Sequence, residues 1–212
     1  MGFNIFRWLR DPTYRAVKRW KRVKGDATLK VDFPLTPESV VFDVGAYKGE
    51  YSAEISNRYG CRVEAFEPVP AYADLARKSL SGMPKVNIRS FGLSDRDGSL
   101  EMSIEGLGSS AFRDGPNRIV ANFLDAAAVV SDLDQIDLIK INVEGGEYAI
   151  LPRLVLTQQI GKFNSILVQF HLIQDGDQER YEAIARDLAK THRLVWRFPF
   201  IWELWERLPR QQ

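Results

Sequence analysis

The stretch VVFDVGAYKG, Val40–Gly49, decides the fold. Two valines and a phenylalanine suit a short buried strand. They run into an acid, Asp43, and two glycines follow, Gly45 and Gly49, at a spacing of four. A carboxylate at a strand end with bare backbone just beyond it suits a ligand held past the carboxyl end of a parallel strand. Gly45 lets a ligand approach the main chain, and Gly49 lets the next helix begin close to the strand. Two roles stand open for Asp43: holding a cationic group, or orienting the turn.

Outward from this strand the periods of 2 and 3.6 alternate. Residues 50–59 read as a helix with Tyr51, Ile55 and Tyr59 on one face and Gly60 as its stop. Strands are expected at 62–67, 86–93, 138–143 and 165–172. A helix is expected at 70–80, carrying Tyr72, Leu75, Ala76 and Leu80. Further helices are expected from near Gly146 and through 181–188. Such alternation predicts an α/β protein: a mostly parallel sheet with helices on both faces. The close of the chain, RFPFIWELWER and the residues before it, reads as an antiparallel edge hairpin turning at 198–200. Its aromatic residues are assigned to the core or to a homodimer interface. Residues 99–124 break the alternation. They read as two extra strands around the loop EGLGSSAFRDGPN, 105–117, a length that often covers a site.

The chain has 212 residues, 45% hydrophobic and 27% charged, with a net charge of +1, so it suits a globular domain and its total charge points to no partner. The charge is uneven locally. Between Met1 and Lys24 stand eight Lys or Arg against one acid, Asp11. Residues 1–33 are therefore set apart as a basic N-terminal extension. Phe3, Phe6, Trp8, Trp20 and Val23 give it apolar contacts, for packing on the domain or for peripheral contact of residues 1–24 with anionic lipid. No compact nucleic-acid recognition motif is present. One cysteine, Cys61, excludes an internal disulfide and favours a reducing compartment. With no long apolar run and no signal-peptide pattern, the expected location is cytoplasmic, with membrane-peripheral as a variant.

The second strand also ends in an acid, Glu67, which lies 24 residues after Asp43. A carboxylate there suits both hydroxyls of a ribose. NAD meets that half of the requirement, but its pyrophosphate is disfavoured by Asp43 and prefers a GxGxxG turn. S-adenosyl-L-methionine, with a positive amino group and sulfonium, suits the turn DVGAYKG better.

VVFDVGAYKGEYS, VEAFEPVP, FGLSDRDGSL and IDLIKINVEGGEYAIL, in that order over residues 40–151, resemble the FkbM family of S-adenosylmethionine-dependent methyltransferases. The resemblance implies a class I methyltransferase (Rossmann-like) fold over residues 34–212, with a mostly parallel seven-stranded sheet whose last strand is antiparallel. It implies a cofactor site at Asp43, Gly45, Ala46, Gly49, Tyr51 and Ser52, ribose contact at Glu67 and Pro68, an adenine-side wall at Ser94 and Asp95, and a contact from Asn142. It also implies O-methyl transfer to a sugar hydroxyl of a polysaccharide, glycolipid or glycosylated natural product. The family typically reads KIDVEG where this chain reads KINVEG, so Asn142 replaces an aspartate.

Methyl transfer to a hydroxyl needs position and a proton acceptor. The ends NVEGGE and VQFHL should flank the methyl group, with Glu144, Glu147 and His171 as candidates and His171 and Glu144 preferred as catalytic. No Cys or His spacing suggests zinc; Asn142, Glu144, Glu147 and His171 offer oxygen and nitrogen ligands for another metal, but the missing aspartate weighs against it and no metal is assigned. Lys140 is expected to cap the sheet face or pair with a carboxylate. Two rival readings are an NAD-linked oxidoreductase and a non-catalytic cofactor-binding module.

Overall fold

The computed structural model describes residues 12–103 and 118–209. After helix α1 (Pro12–Arg22), strands and helices alternate as β1 (Val40–Val44), α2 (Glu50–Tyr59), β2 (Arg62–Phe66), α3 (Pro70–Ser79) and β3 (Val86–Arg89). A second sheet takes β4 (Gly92–Ser94), β5 (Gly98–Ser103) and β6 (Arg118–Asp125). The short α4 (Ala126–Val129) leads back to β7 (Ile136–Ile141), α5 (Glu147–Leu156), β8 (Phe163–Val168), α6 (Asp177–Leu188), β9 (His192–Phe198) and β10 (Trp202–Arg207).

The main sheet has seven strands in the order β3-β2-β1-β7-β8-β10-β9. Neighbours from β3 to β8 pair in parallel, and β10 pairs antiparallel with both β8 and β9. The order reverses between β1 and β7, and beyond the carboxyl ends of strands at such a switch point lies the usual ligand crevice of an open α/β sheet. The expected terminal hairpin is present, but β10 is not at the edge. It inserts between β8 and β9, because its residues Trp202 and Leu204 are needed in the core.

Each strand has two faces because side chains alternate. On one face Phe42, Val44, Ile139, Ile141 and Ile166 meet α5 and α6, through residues such as Leu151 and Ile184. On the other, Val41, Val63, Leu138 and Leu167 meet α1 and α2, through Ala16, Trp20 and Ile55. Trp20 is 4% exposed and packs edge-on to Phe198 at 5.2 Å. Residues 12–33, read as an extension, are thus layered onto the sheet, while Arg19, Lys21, Arg22 and Lys24 face solvent. Phe3, Phe6, Trp8 and the loop 105–117 lie outside the described residues. No helix among the described residues is long and apolar enough to cross a membrane.

Two expectations need correction. The strand expected at 86–93 breaks after Arg89, and Gly92–Ser94 leaves the main sheet to pair in parallel with β6. Gly92 permits this, since a Cβ there would sit 2.4 Å from the Phe123 ring. On α3, Ala73 and Ala76 are buried while Leu75 is 48% exposed, so the buried stripe is narrower than the apolar one.

Candidate active site

The switch point opens into a cavity of about 840 Å³, counting the part open to solvent. Its floor is the ends of β1, β2 and β7: Val44, Gly45, Glu67 and Asn142. Tyr47 and Tyr72 form one wall as an edge-to-face pair at 4.7 Å. The second sheet forms the other wall with Leu93, Leu100, Met102 and Phe123. Val143, Glu144 and Gly146 bring in the turn before α5. The only charged side chains lining it, among the described residues, are Glu67 and Glu144.

Gly45 works by close approach. Its φ is +81°, and a Cβ would lie 2.0 Å from the carbonyl oxygen of Asn142. The turn after β1 therefore presses against the end of β7 with no room for a side chain. Gly49, at φ +84°, starts α2 against Leu80 and Ala76 rather than lining the cavity.

Glu67 is 5% exposed, and its two oxygens accept backbone N–H groups from Tyr47 and Val69, each at 2.8 Å. Burial pushes its carboxyl up to about 7, against the pull of those two donors. Fixed in this way, the carboxylate keeps acceptor capacity, because its two oxygens together offer about four lone-pair sites.

Asp43 does not reach the cavity. It lies opposite Lys140 in the β1–β7 ladder, on the face that meets α2. Its Oδ1 takes the Lys140 ammonium at 2.8 Å and its Oδ2 takes the Ser52 hydroxyl at 2.6 Å. Lys140 also donates to the Gly45 carbonyl at 2.8 Å. Of the two roles open for Asp43, orienting the turn is the one its geometry performs.

Glu144 sits at the cavity lip in the left-handed region, φ 48°, a conformation uncommon outside glycine and typical of functional turns. His171 Nε2 lies 3.3 Å from Glu144 Oε1, off the line of an ideal hydrogen bond. On its other side, His171 Nδ1 is 3.1 Å from Glu147 Oε1, which also accepts the His171 backbone N–H at 2.7 Å. Glu147 is fully buried and its Oε2 accepts the Gly145 N–H at 2.9 Å. Burial alone would lower the His171 pKa. Hydrogen bonding and charge from Glu144 and Glu147 together outweigh it and raise it to about 9. The two carboxylates thus favour the protonated ring, which works against His171 as a base.

Of the residues singled out from sequence, Gly45, Glu67, Pro68, Ser94, Asn142 and Glu144 line the cavity. Asp43, Ala46, Gly49, Tyr51, Ser52, Asp95 and His171 do not. Tyr51 packs on the α1 side, with its hydroxyl donating to the Lys30 carbonyl at 3.2 Å. Ser52 is spent on Asp43, and Asp95 is exposed beside Ser94. Sequence reading missed Tyr47, Val143 and the wall from the second sheet. A tyrosine inside a glycine turn was a visible signal; the sheet wall had none, because it depends on how distant segments pair. Among the described residues no group of three or more His, Cys, Asp or Glu is arranged to hold a metal ion.

No family model matches the chain, and no curated protein matches it in sequence. Solved structures do. A methyltransferase FkbM from Methylobacillus flagellatus KT aligns with a TM-score of 0.57 and 13% identity, over 82% of this chain and 44% of that one. This chain thus spans less than half the length of that protein. A chain of a fibrillarin/Nop5p complex aligns at 0.54 and 12% identity, over 93% and 83%. A putative rRNA-methylase from Clostridium thermocellum aligns at 0.51 and 14%, over 83% and 91%. The fold is that of the class I methyltransferases. The strand order and the single antiparallel strand β10 agree with it.

Proposed function

We propose that the protein is an S-adenosylmethionine-dependent methyltransferase acting on a hydroxyl. The observation that carries this reading is Glu67, held rigidly by two backbone donors at the end of β2 and facing a cavity whose charged lining is carboxylate only. Such a lining favours a cationic adenosyl ligand and disfavours the pyrophosphate of NAD.

Glu67 would accept the ribose hydroxyls, with Pro68 and Tyr72 beside it. Leu93, Ser94, Leu100 and Phe123 offer an apolar slot with one hydroxyl for the adenine. The amino-acid end would lie over Gly45 toward Asn142, whose Oδ1 is buried without a hydrogen-bond partner and suits an ammonium donor. S-adenosylmethionine supplies a methyl group activated by its positive sulfur. The chain's own work is to place the acceptor and take its proton. Glu144 is the group placed for that. Of the two catalytic candidates read from sequence, Glu144 lines the cavity and His171 stands behind it, so we give the role of proton acceptor to Glu144.

A sugar hydroxyl on a polysaccharide, glycolipid or glycosylated natural product is the acceptor we propose, on the strength of the sequence motifs around Asp43 and Glu144. The test is transfer of labelled methyl from S-adenosylmethionine to a panel of sugars and glycolipids. Labelled product that disappears in Glu144→Gln supports the reading. No transfer to any acceptor, with the cofactor bound, favours a binding module instead.

A further inference from the structure

Three titratable groups lie in a row behind the cavity: Glu144 at its lip, His171 at the end of β8, and Glu147 at the start of α5. Their side chains are 16%, 10% and 0% exposed in that order. A buried carboxylate is costly unless hydrogen-bonded and paired. Glu147 meets that demand by spanning two chain segments. One oxygen holds the backbone and the ring of His171, and the other holds the Gly145 N–H in the turn that presents Glu144.

Resting on the methyltransferase reading, we propose that Glu147 is a positioning residue: it orients the His171 ring so that Nε2 faces Glu144, and it pins the Gly145 turn that holds Glu144 at the cavity lip. Glu147 touches no ligand; it acts through His171 and through the turn. An anchoring carboxylate behind an imidazole fixes ring orientation and protonation, as buried carboxylates do behind ligating or catalytic histidines. Here the object held is a second carboxylate. Two left-over features of the site find a use in this arrangement. The strained backbone of Glu144 is held from behind, and the internal position of Glu147 in an otherwise apolar helix start is occupied by a group with work to do.

The chain has two histidines, so imidazole NMR separates them. His192 is buried against the Phe163 carbonyl at 3.0 Å, and burial lowers its pKa, so it serves as the neutral reference. The groups facing His171 are Glu144 and Glu147. The wild type should show His171 protonated on both nitrogens at pH 7.5. In Glu147→Gln its titration midpoint should fall by about one unit or more, and in Glu144→Gln it should also fall. S-adenosylhomocysteine binding should stay within about twofold in Glu147→Gln, because Glu147 lies outside the cavity.

A His171 ring without a proton on Nδ1 in the wild type at pH 7.5 overturns the proposal without any variant, since Glu147 Oε1 then accepts nothing from the ring. So does an unmoved midpoint in a folded Glu147→Gln. If that variant does not fold, Glu144→Gln and the wild-type titration still decide. Failure of S-adenosylhomocysteine to bind the wild type, with His171 behaving as stated, removes the methyltransferase reading and leaves the positioning geometry standing.

Discussion

The ammonium of Lys140 lies 2.8 Å from Oδ1 of Asp43, in directly opposed positions of β1 and β7, with side chains 6% and 0% exposed. The pair joins the two strands that flank the switch point, and Lys140 extends it to the carbonyl of Gly45. Its charge balance is closed within the protein. A buried pair of this kind contributes modestly against an apolar replacement, but breaking it leaves one charge uncompensated.

Lys140→Met should therefore lower stability by about 3–5 kcal/mol. In a double-mutant cycle with Asp43→Asn, the two losses should add to much more than the double variant shows. Urea denaturation of the four proteins measures this. Additive losses would mean that the pair is not coupled.

Gly45→Ala places a methyl group 2.0 Å from the Asn142 carbonyl oxygen at a φ of +81°. The left-handed strain alone costs about 1 kcal/mol, and the clash adds to it. Gly60→Ala is the control, since it shares a positive φ (+64°) but meets its nearest neighbour at 4.0 Å. Thermal denaturation should show a larger drop for Gly45→Ala, with S-adenosylhomocysteine affinity falling only in that variant.

Glu67→Gln should weaken S-adenosylhomocysteine binding by about 10–100-fold, since hydrogen bonds to a charged acceptor contribute about 1.5–3 kcal/mol. Binding should also depend on pH. With the carboxyl pushed up to about 7, the ionised form declines as pH falls below that value. The wild type should lose affinity about tenfold per unit further down, and Glu67→Gln should not. Calorimetry between pH 5.5 and 8 reads both.

Stability without ligand should move the other way. Glu67 and His171 both have folded pKa values above their ordinary ones, so the folded state holds extra protons. For Glu67 the favourable contribution is complete below about 4.5 and is lost as pH rises through about 7. For His171 it is complete below about 6.5 and is lost as pH rises through about 9. Urea midpoints should decline from pH 6 to pH 9, and His171→Gln should flatten the upper part of that decline.

Much of this was legible in the sequence. The strand at Val40–Val44, its glycine turn and the second acid at Glu67 carried enough local chemistry to place the crevice. What failed did so for nonlocal reasons. Asp43 and Val44 are adjacent, so they point to opposite faces, and the face Asp43 takes is set by its register with Lys140. The charge state of His171 depends on Glu144 and Glu147, which a reading of residue types brought near but could not set at 3.3 and 3.1 Å. The wall from the second sheet required β4 to leave the main sheet at Ser90–Phe91 and join a strand about thirty residues on.

The most direct measurement is calorimetric titration of the purified protein with S-adenosylhomocysteine and, separately, with NAD. We predict saturable binding of the first and none of the second. Binding of NAD, or no heat with S-adenosylhomocysteine while the protein is folded, contradicts an adenosyl-sulfur ligand seated beside Gly45 and Glu67.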